Sequence, residues 1–573
     1  MLSRKNTLVI LLMVVSLYIL DIAVYAPGSN LRATPSVLKY PDDLTSSMVT
    51  LEVDAKSNTH PISQYIYGMS FLNDINFAKE INLPVDRFGG NAVTRYNWKN
   101  DASNRASDWF FENLPEDNPN PENLPDGSIS DLFIEKDKLM GARTMLTIPL
   151  IGWTPKDRER RCGFSVKKYG PQQQTDQLMP DCGNGKKTDG TTLITGNDPT
   201  DTSVKINSTF TKEWLQHLTK KYGTADQGGV LFYEMDNEYD LWHRTHHDIH
   251  PEPATTDEIV KLTEEYALAV KEVDPSALTL GPVGWGYLSF LRSVLVFSAL
   301  DSASGTNKDR SSHDNLDFGP YYLKAMKQLE SKHSKRLLDY LDFHMYPQPA
   351  NVFSDNTETE VLAVRLRSTQ GLWNPDYIDE SWVRNLGEPN NRVQLIPRMK
   401  KAIQTYYPGT KIAITEYNWG GLKVMNGALA QADILGILGR ESVDVAILWG
   451  PENSTEPWAY AFRMYRNYDG KGSQFGSTSV SAKSSDEQKL AIYASIRSSD
   501  KKLTVIAINK DPINEIDTKI EIKNFPSSGN TKIYTYSQYN LTKIVESIGI
   551  VVNNAIEHKF PPYSITLFEV ARK

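Results

Sequence analysis

Val230-Leu-Phe-Tyr-Glu-Met-Asp-Asn-Glu238 is a short apolar run that ends in carboxyl and amide side chains. Such a segment reads as a strand buried on both faces, followed by a loop that carries polar chemistry. Seven similar runs surround it: Ile66–Phe71, Val85–Gly89, Thr144–Ile151, Ala277–Val283, Tyr340–Met345, Lys411–Thr415 and Val443–Trp449. Stretches of helical period separate them. Asp257–Val273, with Pro275 just beyond, has apolar residues three and four apart, and Gln394–Tyr407 is another. Eight strands alternating with helices predict a closed (β/α)8 TIM barrel over residues 63–464. Past residue 465 the pattern changes to Gly, Ser and Asp in Asp469–Ser485, then to alternating runs. These are Leu490–Arg497, Leu503–Asn509, Thr518–Ile522, Lys532–Tyr536 and Ser564–Val570. They predict a C-terminal β-sandwich domain over 465–573. Residues 46–62 contain a further strand, Ser46–Asp54, expected to join that domain.

The chain has 573 residues, with 62 Lys plus Arg against 70 Asp plus Glu, a net charge of −8. This balance argues against a nucleic-acid partner, which needs a basic face, and fits a neutral substrate. The 11 Trp, 28 Tyr and 19 Phe suit either stacking on sugar rings or a large core, and composition leaves both open. At the N-terminus, Arg4 and Lys5 precede the apolar run Leu8–Leu20. Residues 1–26 are expected to be a secretory signal peptide or, if uncleaved, a signal anchor, and 27–45 a linker. The expected location is therefore secreted, with membrane anchoring as the alternative, and the expected state is a monomer. Sequons at Asn207, Asn453 and Asn540 are candidate glycan acceptors. Cys162 and Cys182 match no metal motif; they close one loop by a disulfide, worth about 3 kcal/mol, or remain buried thiols.

Catalytic groups in such barrels sit where strands end. The fourth run ends at Asn237-Glu238 and the seventh at Thr415-Glu416. Either Glu alone would also fit an ordinary ion pair. Two carboxyls at matching strand ends are what glycoside hydrolysis requires, one as acid/base and one as nucleophile. Asn237 is placed to contact the sugar 2-hydroxyl. Glu234 and Asp236 read as structural, Glu234 pointing into the barrel towards a base such as Arg87. His344 and Tyr346, after the sixth run, are expected to contact substrate or orient the nucleophile. Asn91, Trp98, Trp419 and Trp449 are further candidate substrate contacts, with Trp109, Trp242, Trp285 and Trp373 as additional rings that could equally be core. His243, His246, His247 and His250 lack the HExxH pattern of a zinc protease, and Gly183–Thr188 lacks phosphate-loop spacing.

Arg87-Phe-Gly-Gly-Asn-Ala-Val-Thr-Arg-Tyr-Asn-Trp98, Asp108-Trp-Phe-Phe-Glu-Asn113, Tyr169-Gly-Pro-Gln-Gln173, Gly196-Asn-Asp-Pro-Thr-Asp201, Asp236-Asn-Glu238, Thr245-His-His-Asp-Ile-His-Pro251 and Glu416-Tyr-Asn together resemble glycoside hydrolase family 44. The resemblance runs from about residue 50 to the C-terminus. It implies a (β/α)8 barrel with a β-sandwich built partly from the N-terminal segment. It implies endo-acting, retaining hydrolysis of β-1,4-glucan, including cellulose-type chains and xyloglucan, with Glu238 as acid/base and Glu416 as nucleophile. It implies no cofactor for catalysis but a structural calcium, for which Glu112, Asp198 and Asp201 offer hard oxygen ligands. One departure is visible: the family pattern continues with proline after the acid, and here Tyr239 stands there, so the loop after Glu238 is expected to differ. The same mechanism acting on mannan or xylan, or a polysaccharide-binding barrel without turnover, are the alternatives.

Overall fold

The computed structural model describes residues 49–292 and 308–573. The expected signal segment and linker lie outside these residues. Among the described residues no helix is long and apolar enough to cross a membrane.

Eight parallel strands close into a barrel: Gly68–Ser70, Val85–Phe88, Arg143–Ile148, Phe232–Met235, Leu278–Gly284, Tyr340–Phe343, Lys411–Tyr417 and Val445–Leu448. They are the eight apolar runs, in chain order. Helices between them form the outer layer. Thr256–Val273 shows how local sequence sets one: Thr255 caps its N-terminus and Glu258 completes a capping box. Its buried face, which includes Ile259, Tyr266 and Val270, follows the helical period.

The second domain is one ten-stranded sheet that curls onto itself. Leu51–Asp54 closes it, lying parallel to Ile516–Lys523 on one side and antiparallel to Thr478–Ser484 on the other. The N-terminal strand therefore does belong to the C-terminal domain. Its Leu51 and Val53 join Ile492, Val505, Ile520 and Phe568 in a separate apolar core. Four strands escaped sequence reading, the two-residue His60–Pro61 among them. Thr478–Ser484 is hidden in a Ser-rich stretch read as a breaker, and Asn540–Val552 and Ala555–Phe560 carry irregular burial. The long Asn540–Val552 strand is mostly exposed, so alternation gives no signal there.

The helix Met425–Arg440 lies between barrel and β-domain and is buried along its length up to Arg440. That is why its sequence is mostly apolar around the helix, with Asn426, Gln431 and Asp433 as buried polar exceptions. At its centre Asp433 accepts hydrogen bonds from Lys510 Nζ at 2.8 Å, Tyr493 Oη at 2.8 Å and Thr369 Oγ1 at 2.7 Å. Lys510 and Asp433 are both buried, and the pair joins the two domains. Removing one member of a buried pair strands the other charge. Asp433→Ala is expected to destabilise the protein by about 3–5 kcal/mol, read as a lower urea midpoint; a midpoint equal to wild type would refute this role.

Candidate active site

Along a strand, alternate residues share a face. Inside the barrel Val85, Met145, Phe232, Tyr340 and Ala413 form an apolar floor. Two residues further on, Arg87, Thr147, Glu234, Asp342 and Thr415 form a polar layer above it, all fully buried. The expected pairing of Glu234 with Arg87 is present, with Arg87 Nε 2.7 Å from both Glu234 oxygens.

Above this layer the backbone leaves regular geometry. On the fourth strand's exit Asp236 has φ 69° and Glu238 has φ 44°, both in the left-handed region. Asp236 holds the turn, accepting from Thr94 Oγ1 at 2.7 Å and from the backbone N–H groups of Asn237 and Ile151. Glu238 N–H donates to Val283 O at 2.9 Å, at an irregularity in the fifth strand. The seventh strand carries one extra residue relative to the eighth, since Ile414 faces Ala446 while Tyr417 faces Leu448. This bulge re-aims side chains locally, so that Thr415 and Glu416, though consecutive, both address the barrel interior.

These devices bring Glu238 and Glu416 together. One oxygen from each, with a ring nitrogen of His344, lie within 4.8 Å of one another. Arg87 Nη1 donates to Glu416 Oε1 at 2.6 Å, and Tyr346 Oη donates to Glu416 Oε2 at 2.8 Å. His344 Nδ1 sits 3.0 Å from Glu238 Oε1 and 3.5 Å from Glu416 Oε2. Arg87 Nη2 donates to Asn237 Oδ1, Asn237 Nδ2 to Asn91 Oδ1, and Asn91 Nδ2 to Asp108. This chain orients Asn237 at the rim.

Burial, and then the negative charge of Glu416, hold the Glu238 carboxyl well above the usual range. Both causes favour the protonated form of Glu238. Burial, followed by the nearby Arg87 charge, keeps His344 well below its ordinary value, so its ring is neutral. Burial and then Glu416 push the Tyr346 phenol up, keeping its donor proton.

The other candidates divide. Trp449 is half-buried beside Arg87, whose guanidinium carbon lies 5.8 Å from its ring, and Trp285 and Trp109 are also half-buried. Trp98 and Trp419 are not open platforms: Trp98 packs against Phe210 and His217, and Trp419 is 2% exposed and donates to Ser368 Oγ. Trp242 is likewise core, donating to Asn237 O. Tyr239, in place of proline, is buried against Phe318 and starts the 3-10 turn Tyr239–Leu241. Cys162 and Cys182 form a disulfide.

The three residues expected to hold calcium lie in different settings. Asp201 is engaged by Lys168 and Tyr169, and Asp198 by Thr200 in an exposed turn. Glu112 is fully buried beside Asp176, and among the described residues no donor reaches either Glu112 oxygen or Asp176 Oδ2. Burial, then Asp176, pushes the Glu112 carboxyl up to about 8. Sequence reading missed Asp176, which follows no period from Glu112. It also missed Asp342, which inward alternation on the sixth strand marks two residues before His344.

The family model described as glycoside hydrolase family 44 matches residues 102–349. Endoglucanase A of Paenibacillus lautus is 30% identical over 535 residues, covering 91% of this chain and 72% of that protein. The crystal structure of CelM2, a bifunctional glucanase-xylanase from a metagenome library, is 38% identical with a TM-score of 0.87, covering 92% of this chain and 99% of that one. A Paenibacillus polymyxa xyloglucanase from the same family is 28% identical with a TM-score of 0.76, covering 91% and 99% respectively. With its paired carboxyls seated on a barrel of this kind, the chain belongs to glycoside hydrolase family 44.

Proposed function

We propose that this glycosidase is a retaining, endo-acting hydrolase of β-1,4-glucan chains, xyloglucan included. The observation that carries the mechanism is the approach of Glu238 and Glu416 oxygens to within 4.8 Å. Retaining enzymes hold their carboxyl groups about 5–5.5 Å apart; inverting enzymes need about 6.5–9.5 Å to admit a water. Names of relatives, an endoglucanase, a glucanase-xylanase and a xyloglucanase, support the substrate class.

Glu416 attacks the anomeric carbon as Glu238 passes its proton to the departing glycosidic oxygen, giving a glycosyl-enzyme ester. With the Glu416 charge consumed, the Glu238 pKa falls, and Glu238 takes a proton from the water that releases the sugar. Arg87 and Tyr346 aim Glu416, and Asn237 faces the 2-hydroxyl. We also propose secretion as a monomer, with Asn207, Asn453 and Asn540 as glycan acceptors.

A structural divalent cation is part of this reading. Buried carboxylate oxygens without donors are what a hard cation accepts. Glu112 and Asp176 would hold it next to the loop stapled by Cys162–Cys182, where it would neutralise two adjacent acids.

Glu238→Gln is expected to lower turnover of xyloglucan and carboxymethyl-cellulose by about 10²–10⁴-fold with an unchanged melting temperature. Glu416→Ala is expected to be at least as impaired and to regain activity in azide, releasing an α-glycosyl azide. Activity near wild type in either variant would remove the assignment, and reducing-sugar release on mannan or xylan alone would remove the substrate.

Because Glu238 acts as an acid, activity is expected to fall as pH rises through its raised pKa. Glu416→Gln removes the neighbouring charge and should lower that pKa, seen as an earlier loss of the protonated-carboxyl infrared band; an unmoved band would contradict the coupling.

Calcium is expected to raise the melting temperature, by about 2.7 kcal/mol of stabilisation at a hundredfold excess over Kd. Glu112→Gln should erase that response, and a chelator without effect on wild type would refute the site.

A further inference from the structure

The geometry points to Glu234 as a positioning residue for the nucleophile, acting through Arg87. This rests on Glu416 being the nucleophile. A guanidinium offers a carboxylate two parallel N–H groups, and an unshared Arg87 would be expected to grip Glu416 in that way. Such a grip would occupy both Glu416 oxygens, including the one that must attack carbon. It would also set a full positive charge against the nucleophile and weaken it.

Glu234 prevents this. It takes the Nε edge of Arg87, at 2.7 Å to each of its oxygens, and both side chains are fully buried. Only Nη1 is left for Glu416, through Oε1 at 2.6 Å, while Nη2 is spent on Asn237 at 3.0 Å. Among the described residues Glu416 Oε2 keeps only the Tyr346 hydroxyl at 2.8 Å, with His344 Nδ1 further away at 3.5 Å. The Arg87 Nε–H and the Thr147 hydroxyl both donate to Glu234, so the anion is the form that fits the site. Burial raises the Glu234 pKa and the Arg87 charge opposes it.

The ionisable groups facing this centre come from several strands. Arg87 stands on the second strand and Glu234 on the fourth, with Glu238 and Asp240 just beyond it. Asp342, His344 and Tyr346 come from the sixth strand and its exit, and Asp108 from the loop after the second. Asp342 is tied to Thr415, accepting from its N–H at 3.1 Å and its hydroxyl at 2.6 Å, so it does not compete for Arg87. Glu234 is thus the anion that divides the charge of Arg87.

The test compares Glu234→Gln, which removes the charge at constant shape, with Glu234→Asp, which keeps the charge and shortens the reach. In Glu234→Gln the undivided Arg87 charge favours ionised Glu416. The acidic limb of kcat/KM on xyloglucan should then move down by about half a pH unit or more, and kcat/KM should fall by about tenfold or more. Glu234→Asp should lose rate with its acidic limb in place. A folded Glu234→Gln with an unmoved limb and kcat/KM within about twofold of wild type would overturn the proposal. Should Glu234→Gln not fold, a double-mutant cycle of Glu234→Asp with Arg87→Lys decides: losses that fail to add support action through Arg87, and additive losses refute it. Glu416→Ala with azide, run alongside, tests the nucleophile separately, so its failure is distinguishable from that of Glu234.

Discussion

The site depends on one guanidinium buried in the mouth of a barrel. Arg87 has no contact with solvent, and its three nitrogens reach a carboxylate below, a carboxylate above and an amide beside it. An isolated buried cation is costly, so two carboxylates and an amide converge on it. Glu234 and Glu416 supply the opposite charge, the Thr147 hydroxyl also donates to Glu234, and Thr415 satisfies Asp342 in the same layer. The same arrangement fixes Asn237 and, through it, Asn91 and Asp108 at the rim. Burial that makes the network electrostatically demanding is also what keeps Glu238 protonated and His344 neutral.

Strand alternation brings most of this layer inside, and its local failures bring the rest. Glu234 and Asp342 enter the barrel because Phe232 and Tyr340, two residues earlier, do. Glu416 follows Thr415, and strict alternation would turn it outward. The extra residue in the seventh strand turns it in. Glu238 is likewise placed by two left-handed residues and a backbone bond to the fifth strand. Strained backbone at such positions is sustained by the rigid closed barrel around it.

This explains what was legible in the sequence. The eight barrel strands and the β-domain are written as hydrophobic period, so both could be read, together with Glu238 and Glu416 at strand ends. The pairing of Glu234 with Arg87 follows from inward alternation. The bulge at Glu416 leaves no mark in composition, and the acidic neighbour of Glu112 is Asp176, which comes from a stapled loop without period. Trp98 and Trp419 failed as platforms because a tryptophan in sequence carries no sign of which side it presents. The strand Asn540–Val552 was missed because exposure on its faces erases alternation.

The strand Leu51–Asp54 closes the β-domain against partners made near the end of the chain; Val49 and Thr518, bonded there, are 469 positions apart. A ribosome releases the first of these long before the second exists. The β-domain therefore cannot complete itself vectorially, and its closing stave must wait while the whole barrel is synthesised. Contacts of such separation slow folding and lengthen the time that sheet edges stand open. Production of this enzyme should consequently be sensitive to chaperone supply and translation speed, even with every active-site residue intact.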